Sequence, residues 1–299
     1  MARPRRPVAD ALAYAPIALL TGISRLLPWR ARLALGGWIG RTAVTRVPRL
    51  RRRIEANLRH VLPDLTAADR ARIARETGDT FGRTFTEILD NPSFHARRTW
   101  TGPTGGGVAA LRAAAGTGGV LVTGHFGQWE AGRAWMKSIG MTCAGVYRPA
   151  DNPHLEAVYR RNLEAGGEPI FTKNARGVRG MIRHLSGGGI VAILNDQYDR
   201  RADRFDFVGR SAPTATIAAD LALKFGLPLI PIYGIRDPDG EHVAVVVEDP
   251  IPHSDGATMT QAVNDSLASM IRAHAGQYYW MHRRWQKDLP DPERPGRTI

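Results

Sequence analysis

The chain has 299 residues, of which 43% are hydrophobic and 23% charged, as in a globular protein with a sizeable core. Its net charge of +13 is concentrated: residues 1–60 carry thirteen Arg and no Lys against Asp10 and Glu55, which excludes a generally basic surface. The single cysteine, Cys143, excludes an intrachain disulfide and is typical of a reducing compartment.

The N-terminal segment, residues 1–48, is predicted to associate with an anionic membrane surface. Residues 11–24 carry no charge, and residues 33–45 place apolar and aromatic side chains among arginines, the pattern of an interfacial anchor and not of a nucleic-acid site. A full span is disfavoured, because the uncharged run is shorter than the ~20 residues that a crossing needs and contains Pro16. A cleaved signal peptide and an amphipathic helix folded onto the protein's own core remain alternatives.

Apolar periodicity beyond residue 48 predicts an α/β fold. Predicted helices cover residues 49–62, 66–88, 128–139, 153–165, 176–186, 214–225 and 258–274. Predicted strands cover residues 118–123, 141–147, 190–194, 229–235 and 242–247, the last two pairing across a turn at 237–240, with a loop at 99–107 and a disordered tail at 291–299. The alternation indicates a mostly parallel central sheet flanked by helices, with a helical section before it.

The most informative stretch follows the first predicted strand. His125 comes directly after Gly124 at the carboxyl end of that strand, where α/β sheets bind ligands. Glu130, five residues later, is expected to contact one imidazole nitrogen and leave the other as a general base. The sequence contains no Gly-x-Ser-x-Gly motif that would place a serine nucleophile, and Cys143 is expected to be buried and unreactive. A substrate hydroxyl would then attack an acyl thioester directly, with the following helix N-terminus binding the oxyanion.

Spacing alone allows two other interpretations of His125, a structural histidine and a zinc ligand. A histidine at a strand end is often structural. A zinc site is disfavoured, because His-x₄-Glu is not the i, i+4 histidine pair of a metalloprotease and no further ligand cluster is visible in the sequence.

The stretch His-Phe-Gly-Gln-Trp-Glu at 125–130 resembles the His-x₄-Asp/Glu motif of glycerolipid acyltransferases. More narrowly, it resembles the lipid A late acyltransferase family (lauroyl and myristoyl transferases) and its relatives that acylate phosphatidylinositol mannosides. Further blocks agree with the family in order: residues 51–58 with 62–64, 146–153, 195–197 with 207–209 and 212–214, and 277–285.

This resemblance implies an acyltransferase domain over residues 49–287, followed by the tail at 288–299. Such enzymes act at the cytoplasmic face of the inner membrane, held peripherally or by one N-terminal anchor. They take the acyl group from an acyl-carrier-protein thioester or acyl-CoA, transfer it to a glycolipid such as a lipid A precursor, and need no metal or other cofactor.

The resemblance also implies roles for individual residues. His125 would be the base and Glu130 its partner. Asp196 and Gln197 would shape the site from the end of the third strand. Arg148, with Arg160 or Arg161, would bind phosphate, which suits a guanidinium because it can contact two oxygens at once.

The acceptor is less defined than the reaction. The motif at 125–130 is closer to the broad family, including the mannoside acyltransferases, than to the best-known lauroyl transferases. The same chemistry on another glycolipid or on an aminolipid is therefore an alternative.

Two other classes of protein are further alternatives: a thioester or lipid hydrolase and a non-catalytic membrane-binding protein. A hydrolase would need water access to the site, whereas a transferase would close a tunnel around the acyl chain.

Overall fold

A computed structural model of the protein describes residues 7–285 and 288–289. The helices are α1 (Pro7–Ser24), α2 (Trp29–Arg46), α3 (Pro48–Val61), α4 (Ala67–Leu89), α5 (Asn91–Arg97), α6 (Val108–Ala113), α7 (Ala131–Ser138), α8 (Pro153–Ala165), α9 (Ala175–Ser186), α10 (Ile217–Phe225) and α11 (Gly256–Ala273), with a 3₁₀ turn at Ala275–Gln277. The strands are β1 (Trp100–Thr104), β2 (Gly119–Thr123), β3 (Cys143–Tyr147), β4 (Ile170–Thr172), β5 (Ile190–Leu194), β6 (Arg204–Phe207), β7 (Arg210–Pro213), β8 (Leu229–Arg236) and β9 (Val243–Val247).

Seven strands form one sheet in the order β1-β9-β8-β2-β5-β3-β4. Every neighbouring pair is parallel except β8 and β9, which are antiparallel. Successive side chains of a strand point to opposite faces, so Leu121 joins the apolar cluster with α7, whereas Val120 and Val122 join the cluster with α9, α10 and α11. This architecture confirms the predicted α/β class, and the predicted β8–β9 pairing is also confirmed.

The register between β2 and β5 positions the residues that follow them. Thr123, the last residue of β2, pairs with Leu194, the last residue of β5. Because the strands are parallel, the chain leaves both at the same edge of the sheet. His125 and Asp196 each lie two residues beyond this pair and therefore meet there.

Several local predictions were wrong. Residues 99–107 contain β1, an edge strand parallel to β9, instead of only a loop, and an edge position tolerates Pro103 because its ladder hydrogen bonds are needed on one side only. Strand β4 was missed because it has three residues. The β6–β7 hairpin was missed because its turn places Val208 at φ 57°, a conformation rare for a β-branched residue.

The remaining boundary differences are small, with one exception at the candidate site. The helix expected from residue 128 begins at Ala131, after a turn that includes Gly127 at φ 51°. The predicted disordered tail lies outside the described residues apart from 288 and 289.

Helix α2 packs against α4 through glycines on both helices. Gly36 and Gly40 of α2 face Gly82 and Gly78 of α4, spaced four residues apart on each helix. A methyl group added at Gly78 would lie 2.6 Å from the carbonyl oxygen of Gly40 and 2.7 Å from Val44 Cγ2. The backbones are thus in direct contact, as in small-xxx-small helix pairs.

Helix α1 is apolar and largely exposed. Its C-terminal end is held by Arg32 of α2, whose Nε and Nη2 donate to the carbonyl oxygens of Ser24 (3.1 Å) and Arg25 (3.2 Å) and whose Nη1 pairs with Asp90. By length and composition α1 could cross a membrane, since 18 residues rise about 27 Å against a hydrocarbon core of about 30 Å. Its exposed face agrees with a membrane-associating N-terminus.

The glycine interface predicts a position-specific loss of stability. Gly78→Ala should lower the free energy of unfolding by about 1–3 kcal/mol, because the added methyl group forces α2 and α4 apart. Gly22→Ala is the matched control: Gly22 lies inside α1 with no atom within 4 Å of an added Cβ, so its effect should be neutral or stabilising by up to about 1 kcal/mol. Urea denaturation measures both, and equal stability of the two variants would contradict the close packing.

Candidate active site

Asp196 holds His125 with both carboxylate oxygens. The ring Nδ1–H of His125 donates to Oδ1 at 2.8 Å, and its backbone N–H donates to Oδ2 at 3.0 Å. The side chain of Asp196 is fully buried. Burial by itself raises the pKa of this carboxyl, but the positive charge and hydrogen bonds of His125, with a further contribution from His282, outweigh it and hold the pKa well below its ordinary value.

Local packing explains why the chain turns at this point. A Cβ added at Gly124 would lie 2.5 Å from Leu267 Cδ2 and 3.3 Å from the carboxyl carbon of Asp196, so a larger residue would have to displace the buried Leu267 side chain. The backbone N–H of Asn195 donates to the carbonyl oxygen of Thr123 at 2.9 Å and continues the ladder past the strand ends. The His125 and Asp196 turns are therefore joined through the backbone as well.

The contact with Asp196 defines the tautomer of His125. A carboxylate only accepts hydrogen bonds, so Nδ1 carries the proton, and in the neutral imidazole Nε2 presents a lone pair. Gln197 lies next to Nε2, with its amide nitrogen 3.5 Å away, while its amide oxygen accepts a hydrogen bond from Lys173 Nζ at 2.9 Å. Lys173 thereby turns the NH₂ group of Gln197 towards the free nitrogen of His125.

The closing segment of the chain covers the histidine. The ring of His282 lies edge-on to that of His125, with centroids 4.5 Å apart, and Tyr279 donates its backbone N–H to the carbonyl oxygen of His125 at 3.0 Å. Burial, followed by the charge of His125, lowers the pKa of His282 to about 3. His282 is therefore neutral at physiological pH. The sequence motif at 277–285 contained His282, but its role was not predicted.

The predicted contact between Glu130 and His125 is not formed. Glu130 instead pairs with Arg133, one turn along α7, at 2.6 Å, and both side chains are buried. Arg133 also donates to the carbonyl oxygens of Cys143 (3.1 Å) and Gly167 (2.7 Å). The reason is the turn before α7: Glu130 becomes the residue that precedes the helix, and its side chain points towards β3 and α8.

The expected oxyanion site at the N-terminus of α7 stays a prediction, although part of the turn before the helix is already hydrogen-bonded. Between His125 and α7, the backbone N–H groups of residues 126, 127, 128, 130 and 131 already donate to oxygen atoms of the protein. These groups stabilise the turn and are not available to a substrate. The side chains of Gln197 and Lys173 also bring N–H groups to the cavity beside the histidine.

A buried ion pair between α4 and β8 packs against the turn at residues 127–130. Glu87 of α4 accepts from Arg236 of β8 through both oxygens, one of them at 3.0 Å, and Gln128 donates to Glu87 at 2.7 Å. Thr84 donates its hydroxyl to the carbonyl oxygen of Gly127 at 2.9 Å. Because each buried charge is paired, α4 and β8 fix the position of the 127–130 turn.

Two further polar side chains hold the closing segment against the sheet edge. Arg284 is fully buried and donates to the carbonyl oxygens of Gln197 (3.3 Å) and Pro213 and to the hydroxyl of Thr214 (2.6 Å). Asn57 of α3 donates to the carbonyl oxygens of Trp280 (2.7 Å) and His282 (2.9 Å). The blocks that were recognised in the sequence therefore meet around His125.

A cavity of ≈ 270 Å³, the His125 cavity, lies beside His125 and is partly open to solvent. Its walls are mainly apolar and aromatic, and its polar atoms come from few residues. The apolar lining includes Phe81, Phe85, Ile88, Leu121, Leu163 and Ile232, and the polar lining includes His125, Glu130, Lys173, Gln197 and His282. Such a space suits an alkyl chain whose reactive end lies at the histidine.

The predicted phosphate-binding arginines lie in two different places. Arg148 follows β3, lines the His125 cavity and reaches Asp151 at 2.9 Å, with its side chain 72% exposed. Arg160 and Arg161 lie on the exposed side of α8, where Arg160 pairs with Glu164 at 2.6 Å. Only Arg148 is brought to the candidate site.

Two other groups bear on the type of chemistry. Burial raises the pKa of the Cys143 thiol to about 12, so a protonated thiol is expected, consistent with an inert cysteine. His125, Asp196 and His282 offer ligand atoms within 4.8 Å of one another, a spacing that a cation could use. A metal there would displace the Nδ1–H···Oδ1 hydrogen bond, so the arrangement is better suited to acid–base chemistry.

Comparison with known proteins identifies related sequences. The profile of the bacterial lipid A biosynthesis acyltransferases matches residues 4–287. The chain is 26% identical over 272 residues to the lipid A biosynthesis lauroyltransferase of Escherichia coli K12, covering 87% of each chain. It is 25% identical over 234 residues to the phosphatidylinositol mannoside acyltransferase of Mycobacterium tuberculosis H37Rv, covering 72% of this chain and 71% of the relative. It is 28% identical over 187 residues to a lipid A biosynthesis acyltransferase of Haemophilus influenzae, covering 59% and 58%.

The neutral, buried His282 predicts an acid-dependent loss of stability. Its folded-state pKa of about 3 lies below the ordinary 6.5, so the unfolded chain takes up a proton as the pH falls below 6.5 and the folded protein does not until about pH 3. The stabilisation is complete above pH 6.5, and about 2 kcal/mol of it is lost by pH 5. Urea denaturation at pH 7 and pH 5 should show a smaller loss for His282→Asn than for the unchanged protein.

His242→Asn is the control for this measurement. The hydrogen bond to Asp239 raises the pKa of His242, so removing His242 should not reduce the loss at pH 5. If His282→Asn and the unchanged protein lose the same free energy of unfolding, His282 is not held neutral by burial.

Proposed function

The chain belongs to the family of bacterial lipid A biosynthesis acyltransferases and is an acyltransferase, and on this premise we propose that it acylates a hydroxyl of a lipid A precursor. The acyl donor is an acyl-carrier-protein or acyl-CoA thioester, used at the cytoplasmic face of the inner membrane. The observation that carries this proposal is that Asp196 fixes Nδ1 of His125 while Nε2 faces an apolar cavity.

Proton transfer through His125 accounts for the reaction. Nε2 takes the proton of the acceptor hydroxyl as its oxygen attacks the thioester carbonyl carbon. The tetrahedral intermediate then breaks its carbon–sulfur bond, and the imidazolium returns the proton to the departing thiolate. Asp196 stabilises the imidazolium, the role of the buried aspartate in a serine-protease triad, but here the substrate supplies the hydroxyl.

Gln197 and Lys173 are the proposed donors to the oxyanion. The amide nitrogen of Gln197 lies next to Nε2, and Lys173 donates to Gln197 and lines the same cavity. A side-chain amide is a known donor in oxyanion sites. Arg148, at the rim of the His125 cavity, is the proposed contact for a phosphate of the acceptor or of the carrier's phosphopantetheine.

The His125 cavity is the proposed seat of the donor acyl chain. Its apolar walls remove the chain from water and place the thioester carbonyl at its polar end, beside His125 and Gln197. Glu130 and Arg133 line the wall between β3 and α8. We therefore assign Glu130 to the shape of this wall instead of to direct contact with the base.

The similarity to phosphatidylinositol mannoside acyltransferases supports a second acceptor class. The identity to these relatives is close to the identity to the lipid A enzymes, and acyl transfer through His125 would be the same reaction. Another glycolipid is thus the alternative acceptor. A hydrolase would need an ordered water in place of the acceptor hydroxyl at Nε2.

Substitutions distinguish the roles of Asp196 and Glu130, the two carboxylates near His125. Asp196→Asn and His125→Ala should each lower the transfer rate by about 10²–10⁴-fold, because the base is lost or held in the wrong tautomer. Glu130→Gln should keep most of the rate and lower the free energy of unfolding, because Arg133 loses its buried counter-charge. Thiol release from an acyl thioester in the presence of lipid acceptor measures the rate. A folded Glu130→Gln protein as inactive as Asp196→Asn would show that Glu130 acts on His125.

The acceptor is tested in cells that lack the protein. Mass spectrometry of their lipids should show lipid A short of one acyl chain, restored by the unchanged gene and not by the His125→Ala variant. Normal lipid A together with another glycolipid short of one acyl chain would favour the second acceptor class. Unchanged acylation of all glycolipids would contradict both.

A further inference from the structure

A second apolar space lies between α1, α2 and α4. This space of ≈ 280 Å³, the helix groove, is lined by side chains of all three helices. The residues used below are Leu20 of α1, Ile39 and Ala43 of α2, and Phe81 and Phe85 of α4. Its lining is almost entirely apolar, which is the property expected of a site for an alkyl chain.

The helix groove and the His125 cavity share two residues. Phe81 and Phe85 line both spaces and stack on each other with centroids 5.7 Å apart. Phe81 also stacks on Tyr279 at 4.5 Å, and the ring of Tyr279 lies 6.2 Å from that of His125. A row of aromatic rings therefore leads from the groove to the candidate base.

The outer rim of the helix groove is an exposed apolar surface. Leu20 lines the groove and is itself 45% exposed, and Leu19, Ile23 and Trp38 are exposed on the same two helices. Arg25, at the end of α1, lines the groove as well and lies 3.6 Å from Asp90. Apolar side chains bordered by arginine are suited to the interface of a membrane with anionic headgroups.

We propose that the helix groove binds an acyl chain of the acceptor lipid, which enters from the bilayer between α1 and α2. This inference rests on the proposed function, because it assigns the His125 cavity to the donor chain and the groove to the acceptor. A bilayer-resident acceptor must bring its hydroxyl to Nε2 of His125. If one of its chains lies in the groove, that chain keeps apolar surroundings during the reaction, and Phe81 with Phe85 separates it from the donor chain.

Photo-crosslinking tests this binding site without requiring turnover. The probe is a phosphatidylglycerol with a diazirine in one acyl chain, present in trace amounts in phosphatidylglycerol and phosphatidylethanolamine vesicles. With the full chain, we expect crosslinks in peptides that contain residues 35–43 and 81–89. His125→Ala should give the same crosslinks, because binding does not need the base. Absence of transfer activity would therefore refute the proposed function without changing this result.

A matched pair of variants tests the groove itself. Ala43→Trp fills the groove, whereas Ala34→Trp adds the same ring at an exposed position of α2 that does not line it. Ala43→Trp should reduce the groove crosslinks by about tenfold and Ala34→Trp should not. Ala43→Trp should also raise the KM for the lipid acceptor, whereas Ala34→Trp should not. Unfolding midpoints of the two variants show whether α2 remains packed, and Ala43→Leu provides a smaller filling group if it does not.

Two results would overturn the proposal. One is crosslinking confined to the outer face of α1, around Leu12 and Leu19. The other is groove crosslinking that Ala43→Trp leaves at the level of Ala34→Trp, since the chain would then bind elsewhere.

Discussion

The paired hydrogen bonds from His125 to Asp196 are the constraint on which the candidate site depends. One carboxylate fixes both the backbone and the ring of the histidine, so neither the turn nor the tautomer can change alone. This requires β2 and β5 to be neighbours in register, and it requires Gly124 to leave space for the carboxyl group. The free nitrogen then points into the His125 cavity without any help from substrate.

The negative charge of the fully buried Asp196 must be stabilised by polar groups. Some of these groups contact Asp196 directly, and others hold the segments around it. His125 and His282 supply the nearest favourable charge and dipoles, and Arg284 holds the turn that carries Asp196. Farther away, the Glu87–Arg236 pair fixes the turn after His125 from the other side. These groups come from segments distributed along the chain from Glu87 to Arg284. The site is therefore stable only when α4, the sheet and the closing segment are all in place.

The sequence predicted the helices and strands better than the contacts between residues on different elements. Strand β5 and helix α8 were predicted with their observed bounds, because a continuous apolar run and a proline at the first helical turn are strong local signals. His125 was placed correctly at a strand end. Its partner was expected at Glu130 because that residue is near in sequence, whereas the observed partner depends on β5 lying beside β2. Periodicity does not encode the order of strands in a sheet, so the contact with Asp196 could not be read from it.

The glycine contact between α2 and α4 has a consequence for where the protein can work. Most helix pairs in water-soluble proteins are held by apolar side chains whose association depends on the release of water. The α2–α4 contact instead relies on close approach of two backbones, a form of attraction that does not need water and is equally effective among lipid tails. Helix α2 can therefore be partly immersed in a bilayer without separating from α4. Lipid can then lie against one side of the helix pair while the His125 site lies on the other.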